Sequence, residues 1–459
     1  MKSFFPFLLL AFCFNASAFV GDQAAIPPQA DYRVLTTEHF EVVYPDEFEV
    51  EASQTAAILE RTHERLAKFW GYDFKRRMTA ILADNEDSAN GLASAIGHQG
   101  IILYMTAPDP YSSIGEHAHW LENLIVHEYT HYLTLYRAQG AFAFLKILFG
   151  DLIQPNHLWP TWMAEGLAVY AETHFTDRGR GHGTYYRTLT RDALARMEND
   201  GKFFIPFDQI SGTRPDFPFG ETAYYVGGGI VEEMAREMTP EILAQFVEES
   251  SWRLNYFMNG TLYSITQPEQ TKDFRALYQN WIDYEKVRMK DELLWLKTHG
   301  TKEPELYSTE QANALGARLS PDGTMLGYFE SSGHDYPSLK IRDLKSGKVR
   351  TLAHLIAGAG FSWSADSRRI YFSKFDNASP FQVYSELSVI DTESGSITQL
   401  TDKERAKDPD LCGAKTLVYT TRQGRFSELR AFDLESRQSR MLYRSPEYHS
   451  VATPRCGPK

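Results

Sequence analysis

Cysteine is scarce: the 459-residue chain has three, and one of these, Cys13, falls in an apolar leader. Cys412 and Cys456 permit a single disulfide in an oxidising compartment and exclude a scaffold built on disulfides. Basic residues are in deficit, with 47 Lys and Arg against 60 Asp and Glu and a formal net charge of −13. That balance argues against a general nucleic-acid binder, which needs basic surface to replace phosphate counterions. The chain has no phosphate-cradling glycine loop and no Gly-x-Ser-x-Gly elbow, so nucleotide and serine-nucleophile chemistry gain no support. It also lacks an apolar run long enough to cross a bilayer.

The composition that remains, 43% hydrophobic and 23% charged, is ordinary for a globular protein. Its length exceeds the size at which one core stops growing, so two or more domains are expected. Lys2, the apolar run Phe4 to Phe14 and the small-residue site Ala16-Ser17-Ala18 read as a signal peptide cleaved after Ala18. Phe12 before Cys13 is too bulky for a lipoprotein cleavage site, which argues against a lipid anchor. The expected division is a signal peptide over 1–18, a catalytic region over 19–300, and a repeat region over 301–459.

Short β-branched and aromatic runs over 31–48 read as opening strands, and apolar recurrence over 49–71 reads as a helix ended by Gly71. Further strands are predicted in the segments RRMTAILAD and IILYMTAP, with the glycine-rich segment NGLASAIGHQG between them leading into a sheet edge. Helices are predicted over 116–137, 161–173, 187–198, 221–237, 240–249 and 271–296. The unusually apolar stretch 140–160 reads as a buried crossover between two helices, with a membrane-touching flap as the alternative. The region up to 300 is therefore α+β, mostly helical with a small edge-exposed sheet.

VHEYTH at 126–131 places His127 and His131 one helical turn apart on one face, with Glu128 beside them. WMAEGLAVYAE follows and offers Glu165, 34 residues beyond His131. Two imidazoles and a carboxylate suit Zn²⁺ with its fourth position open, while Glu128 is placed as a general base. Burying these polar groups unpaired on so apolar a helix would be costly, so a bound ion that satisfies them is the better account. Glu172 lies two turns after Glu165 and offers support from behind. His98, His117, His119 and His157 lie near the motif without a spacing that demands ligation.

The pair VHEYTH and WMAEGLAVY resembles the gluzincin metallopeptidases, the group of thermolysin-like and aminopeptidase N-like enzymes. The resemblance implies metal ligation by His127, His131 and Glu165, catalysis by Glu128, and peptide-bond hydrolysis. Ala164 stands where the aminopeptidase branch commonly has asparagine. That branch also carries a tyrosine three positions before a glycine, whose hydroxyl stabilises the oxyanion. In FGETAYYVGGGIVEEMARE both Tyr224 and Tyr225 meet the spacing, and the apolar positions Ile230 and Met234 favour Tyr224. The Gly-x-Met-Glu-Asn segment of the aminopeptidases is absent, which favours an endopeptidase. A strand edge from Asn90 to Tyr104 would hold an extended peptide by β-augmentation.

Beyond 300 the pattern changes to short strands with a period. Segments beginning at Leu319, Trp363, Leu411 and Cys456 are offset by 44, 48 and 45 residues, the length of a four-stranded propeller blade. Asp343, Asp391 and Asp433 precede hairpin turns at matching places. With Ser320-Pro321-Asp322-Gly323 and its eroded copy Ser364-Ala365-Asp366-Ser367, these repeats resemble TolB-like blades, about three with an incomplete fourth. Open blade edges predict weak stability or association. The combined expectation is an exported zinc peptidase of the bacterial periplasm, or secreted, acting on peptides or proteins, with a partial β-propeller as the candidate docking site for a protein partner. No nucleic acid and no transmembrane segment in the mature chain are expected. The alternative is a non-catalytic binding module whose zinc is structural.

Overall fold

A computed structural model describes residues 27–457 apart from 29, 75, 95–99, 204, 213–216, 254–257, 267–272, 300–306, 308–311, 356 and 448. The signal-peptide reading and His98 fall outside the described residues. The first strands, β1 (Tyr32–Thr36) and β2 (Phe40–Pro45), form a hairpin, and β2 alternates buried and open positions. Helix α1 (Glu49–Trp70) follows, packing Ala52, Ala56, Leu59 and Leu66 on the sheet and ending at Gly71, whose φ of 63° closes the cap onto Ala67. Strands β3 (Met78–Ala83), β4 (Gly91–Ser94) and β5 (Gly100–Tyr104) complete a sheet of order β1-β2-β3-β5-β4. β3 lies parallel to β2 and β5, whereas β4 runs antiparallel to β5 at the edge.

One continuous core joins this sheet to the helices α2 (Trp120–Leu135), α4 (Thr161–Phe175), α5 (Thr184–Asp200), α6 (Thr222–Glu237), α7 (Glu241–Ser250), α8 (Met258–Ile265) and α9 (Phe274–His299). Between α2 and α4 the chain forms α3 (Gly140–Phe149), and here the structure corrects the expectation of a buried crossover. None of the ten residues of α3 is buried, and Phe144, Ile147, Leu148 and Phe149 lie open. Apolar composition alone does not distinguish a core helix from an exposed one.

Three four-stranded antiparallel sheets follow, which gives a partial β-propeller. They are β6 (Asn313–Leu319) to β9 (Val349–His354), β10 (Ala357–Trp363) to β13 (Ile397–Gln399), and β14 (Lys407–Cys412) to β17 (Ser439–Arg444). In sequence order the other strands are β7 (Met325–Ser332), β8 (Asp335–Asp343), β11 (Arg369–Ser379), β12 (Gln382–Asp391), β15 (Thr416–Gln423) and β16 (Phe426–Asp433). The periodic aspartates have one job in each sheet. Asp343, Asp391 and Asp433 accept the backbone N–H of Ser346, Ser394 and Ser436 at 2.6, 2.8 and 2.7 Å and so close the last hairpin. Ser320 and Ser364 likewise hold Asp322 and Asp366 in the opening turns. Arg318 of the first sheet reaches Asp410 of the third at 2.7 Å, so the inner strands converge. A disulfide joins Cys412 to Cys456 with Cα atoms 5.5 Å apart, the pairing the two cysteines allowed.

The two parts touch through the loop after β3. Val383 and Asp87 exchange backbone hydrogen bonds with Asn85 and Val383 at 2.9 and 3.1 Å. Arg405 bonds Asp84 at 2.7 and 3.0 Å and Asp87 at 2.7 Å. No helix among the described residues is long and apolar enough to cross a membrane.

Candidate functional site

Helix α2 is capped by His119, whose ring accepts the N–H of Glu122, and is buried on nearly every side. That burial carries His127, Glu128 and His131 into the interior, each 6–7% exposed. Helix α4 supplies Glu165 and Glu172, and α6 supplies Tyr224. The α4–α6 crossing depends on two glycines. A Cβ on Gly166 would lie 2.5 Å from the carbonyl oxygen of Gly227, and one on Gly227 would lie 2.2 Å from that of Trp162. With no side chains between them the backbones touch, which draws Tyr224 toward the histidines. The glycine after Glu165 and the glycine three residues after Tyr224 are thus one packing device.

His127 Nε2, His131 Nε2 and Glu165 Oε2 form a nearly equilateral triangle, with separations of 3.2, 3.3 and 3.2 Å. Ligands about 2.0–2.1 Å from a tetrahedral ion stand roughly 3.3–3.4 Å apart, so the three atoms are spaced to hold one small cation. A second group, His39, His63 and Asp73, also brings ligand atoms within 4.8 Å. Its two rings stack at 3.9 Å and 29°, so their lone pairs do not converge, and His39 and His63 are bonded to Glu60 and Tyr129.

Burial raises the Glu128 carboxyl above its ordinary range, and the neighbouring histidines only partly offset this. Burial acts on Glu165 in the same sense, but His131 and His127 outweigh it and hold that carboxyl well below the usual range. Glu128 lies beside the edge strand: a Cβ on Gly91 of β4 would stand 2.7 Å from Glu128 Oε1. Any side chain there would displace the carboxylate.

Sequence reasoning missed Arg180. Its Nε donates to Glu172 Oε1 at 2.6 Å, its Nη2 lies 2.7 Å from His127 Nδ1, and its guanidinium covers the Tyr224 ring at 4.6 Å. Burial would raise Glu172, yet Arg180 and His127 hold it at about 2. The Arg180 contact suits a His127 ring with a free Nδ1 lone pair. Ligation through Nε2 needs the other tautomer, with Nδ1–H turned to Glu172 Oε2, now 3.6 Å away. The only sequence signal was a pair of flanking glycines. Gly179 and Gly181 lie against the backbone of Glu172 and the side chain of Thr173, with hypothetical Cβ contacts of 2.4 and 2.6 Å, and press Arg180 onto the end of α4.

The structure brings Tyr224 to the site, its ring 6.1 Å from that of His127, and burial pushes its hydroxyl well up. Tyr225 points the other way, into Tyr186 and Trp281. Of the other histidines, His119 caps α2 and His117 tilts against Trp120. Burial lowers His157, and the charge of nearby His131 adds to the effect.

No protein-family model and no curated protein sequence matches the chain. Among solved structures it is similar to TolB from Acinetobacter baumannii, at 16% identity over 33% of this chain and 38% of that one, with a TM-score of 0.28. It is also similar to the β-propeller domain of the Trilobed protease from Pyrococcus furiosus, at 18% identity over 29% and 43% of the two chains, with a TM-score of 0.24. A third is the Pyrococcus horikoshii acylaminoacyl peptidase, at 17% identity over 28% and 25%, with a TM-score of 0.23. The chain thus spans less than half the length of each of these neighbours.

Proposed function

We propose that the chain is a zinc-dependent endopeptidase of the gluzincin kind, acting on exported or envelope proteins and peptides. The observation that carries this reading is the ligand triangle of His127, His131 and Glu165 with Glu128 beside it and the outermost strand β4 against Glu128. Bound by those three residues, Zn²⁺ would supply Lewis acidity and lower the pKa of water from 15.7 toward about 7. Glu128 takes the proton from the attacking water and passes it to the leaving nitrogen. The Tyr224 hydroxyl, kept protonated by burial, donates to the oxyanion. β4, at the edge of the sheet, aligns an extended peptide beside Glu128.

The test uses purified full-length protein, metal analysis and a mixed peptide library. Stoichiometric zinc and internal cleavage are expected, with turnover falling by about 10²–10⁴ in Glu128→Gln while zinc is retained. Protein without stoichiometric zinc, or turnover indifferent to Glu128→Gln, overturns the reading. Tight partner binding without turnover would instead assign the function to the propeller.

A further inference from the structure

Helix α3 reverses the usual arrangement of a surface helix. Phe144, Ile147, Leu148 and Phe149 are 57–80% exposed, and Leu152 in the next turn is 70% exposed. Positions 144, 147 and 148 share one helix face, and that face points to solvent. Lys146, the only charged residue of α3, is turned back. Its amine donates to the carbonyl oxygen of Tyr136 at 2.8 Å and lies 3.8 Å from Asp151. The outward surface is therefore uncharged as well as apolar.

The arm is held firmly at both ends. Gly140 and Gly150 have φ of 55° and 63° and break the chain direction there. Gln139 donates its backbone N–H to Ser251 at 2.9 Å, and buried Asn156 bonds the carbonyl oxygens of Thr134 and Val247 at 2.8 and 3.2 Å. The protrusion is a built feature, with its ordering cost already met by these anchors.

We propose that α3 and the turn after it form a finger that inserts into the interfacial layer of a lipid bilayer. Its five exposed side chains present roughly 600 Å² of apolar area, at the top of the range for the largest patch on a soluble monomer. A second copy of this chain is a poorer occupant, because a stable dimer buries about 800 Å² per partner and a convex helix offers no groove. At about 1.5 Å per residue the helix reaches roughly 15 Å, half the hydrocarbon thickness, so it lies in the interface and does not cross. With Lys146 withdrawn and a net charge of −13, attraction to anionic lipid contributes nothing, and binding is carried by apolar burial. Because α3 connects the helix of His127 and His131 to that of Glu165, the inserted finger would hold the site close to the membrane surface.

Co-sedimentation of the full chain with phosphatidylcholine vesicles tests this without any measure of peptidase activity or zinc. Binding is expected to survive about 0.5 M salt. It should weaken at least about tenfold in Ile147→Asp/Leu148→Asp, whose side chains contribute nothing to the core. Phe144→Trp should show a blue-shifted emission with vesicles, quenched by brominated lipid. Circular dichroism of each variant verifies the fold. Absence of wild-type binding, binding unchanged in the double variant, or binding abolished by salt overturns the proposal. So does a lipid-free dimer that the double variant dissociates, which would assign the face to self-association.

Discussion

Replacing Arg405 with methionine should loosen the junction between the sheet and the propeller by about 3 kcal/mol. The guanidinium is 11% exposed and bonds Asp84, 14% exposed, and Asp87, 3% exposed. Removing one partner of a buried ion pair costs about 3–5 kcal/mol, because the charge left behind has lost both water and its counterion. Arg422, 3.5 Å from Asp84, and Lys407, 2.8 Å from the Asp87 carbonyl oxygen, remain and set the value near the lower end. The amides of Asp87 and Val383 report the junction directly, since each bonds across it. Their hydrogen exchange, read by mass spectrometry, should accelerate roughly hundredfold. Arg405→Lys should recover less than half of the loss, because an ammonium cannot bridge both carboxylates in a plane. Turnover should fall too: the loop held by Arg405 leads into β4 and Gly91, which sets the edge against Glu128. Protection changed by less than about fivefold would refute the clamp.

Gly227→Ala should cost about 2 kcal/mol of stability, although helix propensity alone predicts a gain of about 1; a thermal melt decides the sign. Tyr224→Phe should lower kcat by about 10²–10³ with zinc retained, and unchanged turnover removes its role. Glu172 stands at about 2 in the folded protein against an ordinary 4.5. A carboxyl lowered on folding stabilises above about 4.5 and loses that contribution as pH falls toward 2, here about 3 kcal/mol in metal-stripped protein. Urea melts of Glu172→Gln should show a flattened acid limb across that window, and an unchanged limb contradicts the assignment.

Much of the fold was legible because period and punctuation are local. Helix α1 announced its end with Gly71, and the propeller sheets announced theirs with Asp343, Asp391 and Asp433, whose side chains close turns three residues ahead. The same locality explains the failure at α3. Residues 140–149 are apolar enough for a core, and what decides their fate is whether another element packs over them. That is a property of the whole arrangement, and the chain on both sides is anchored elsewhere, at Ser251, Thr134 and Val247.

The site divides along the same line. His127, Glu128 and His131 sit within one turn, so helical geometry alone placed them together; Glu165 and Tyr224 came through motif spacing, for which the structure supplies a cause in the contact of Gly166 with Gly227. Arg180 had no such spacing to reveal it. Its position follows from two glycines that fold the chain back onto the end of α4, and its importance follows from competition for one nitrogen. In the present geometry Arg180 holds the Nδ1 lone pair of His127, whereas a ligating His127 must donate Nδ1–H to Glu172. Both groups are already bonded to each other at 2.6 Å, so a small rotation of the guanidinium toward Glu172 releases the nitrogen without breaking the pair. Arg180 also lies on the Tyr224 ring, so the movement that favours one tautomer of His127 shifts the surroundings of the Tyr224 hydroxyl as well. The basicity of His127 and the placement of Tyr224 are therefore coupled through a single buried cation.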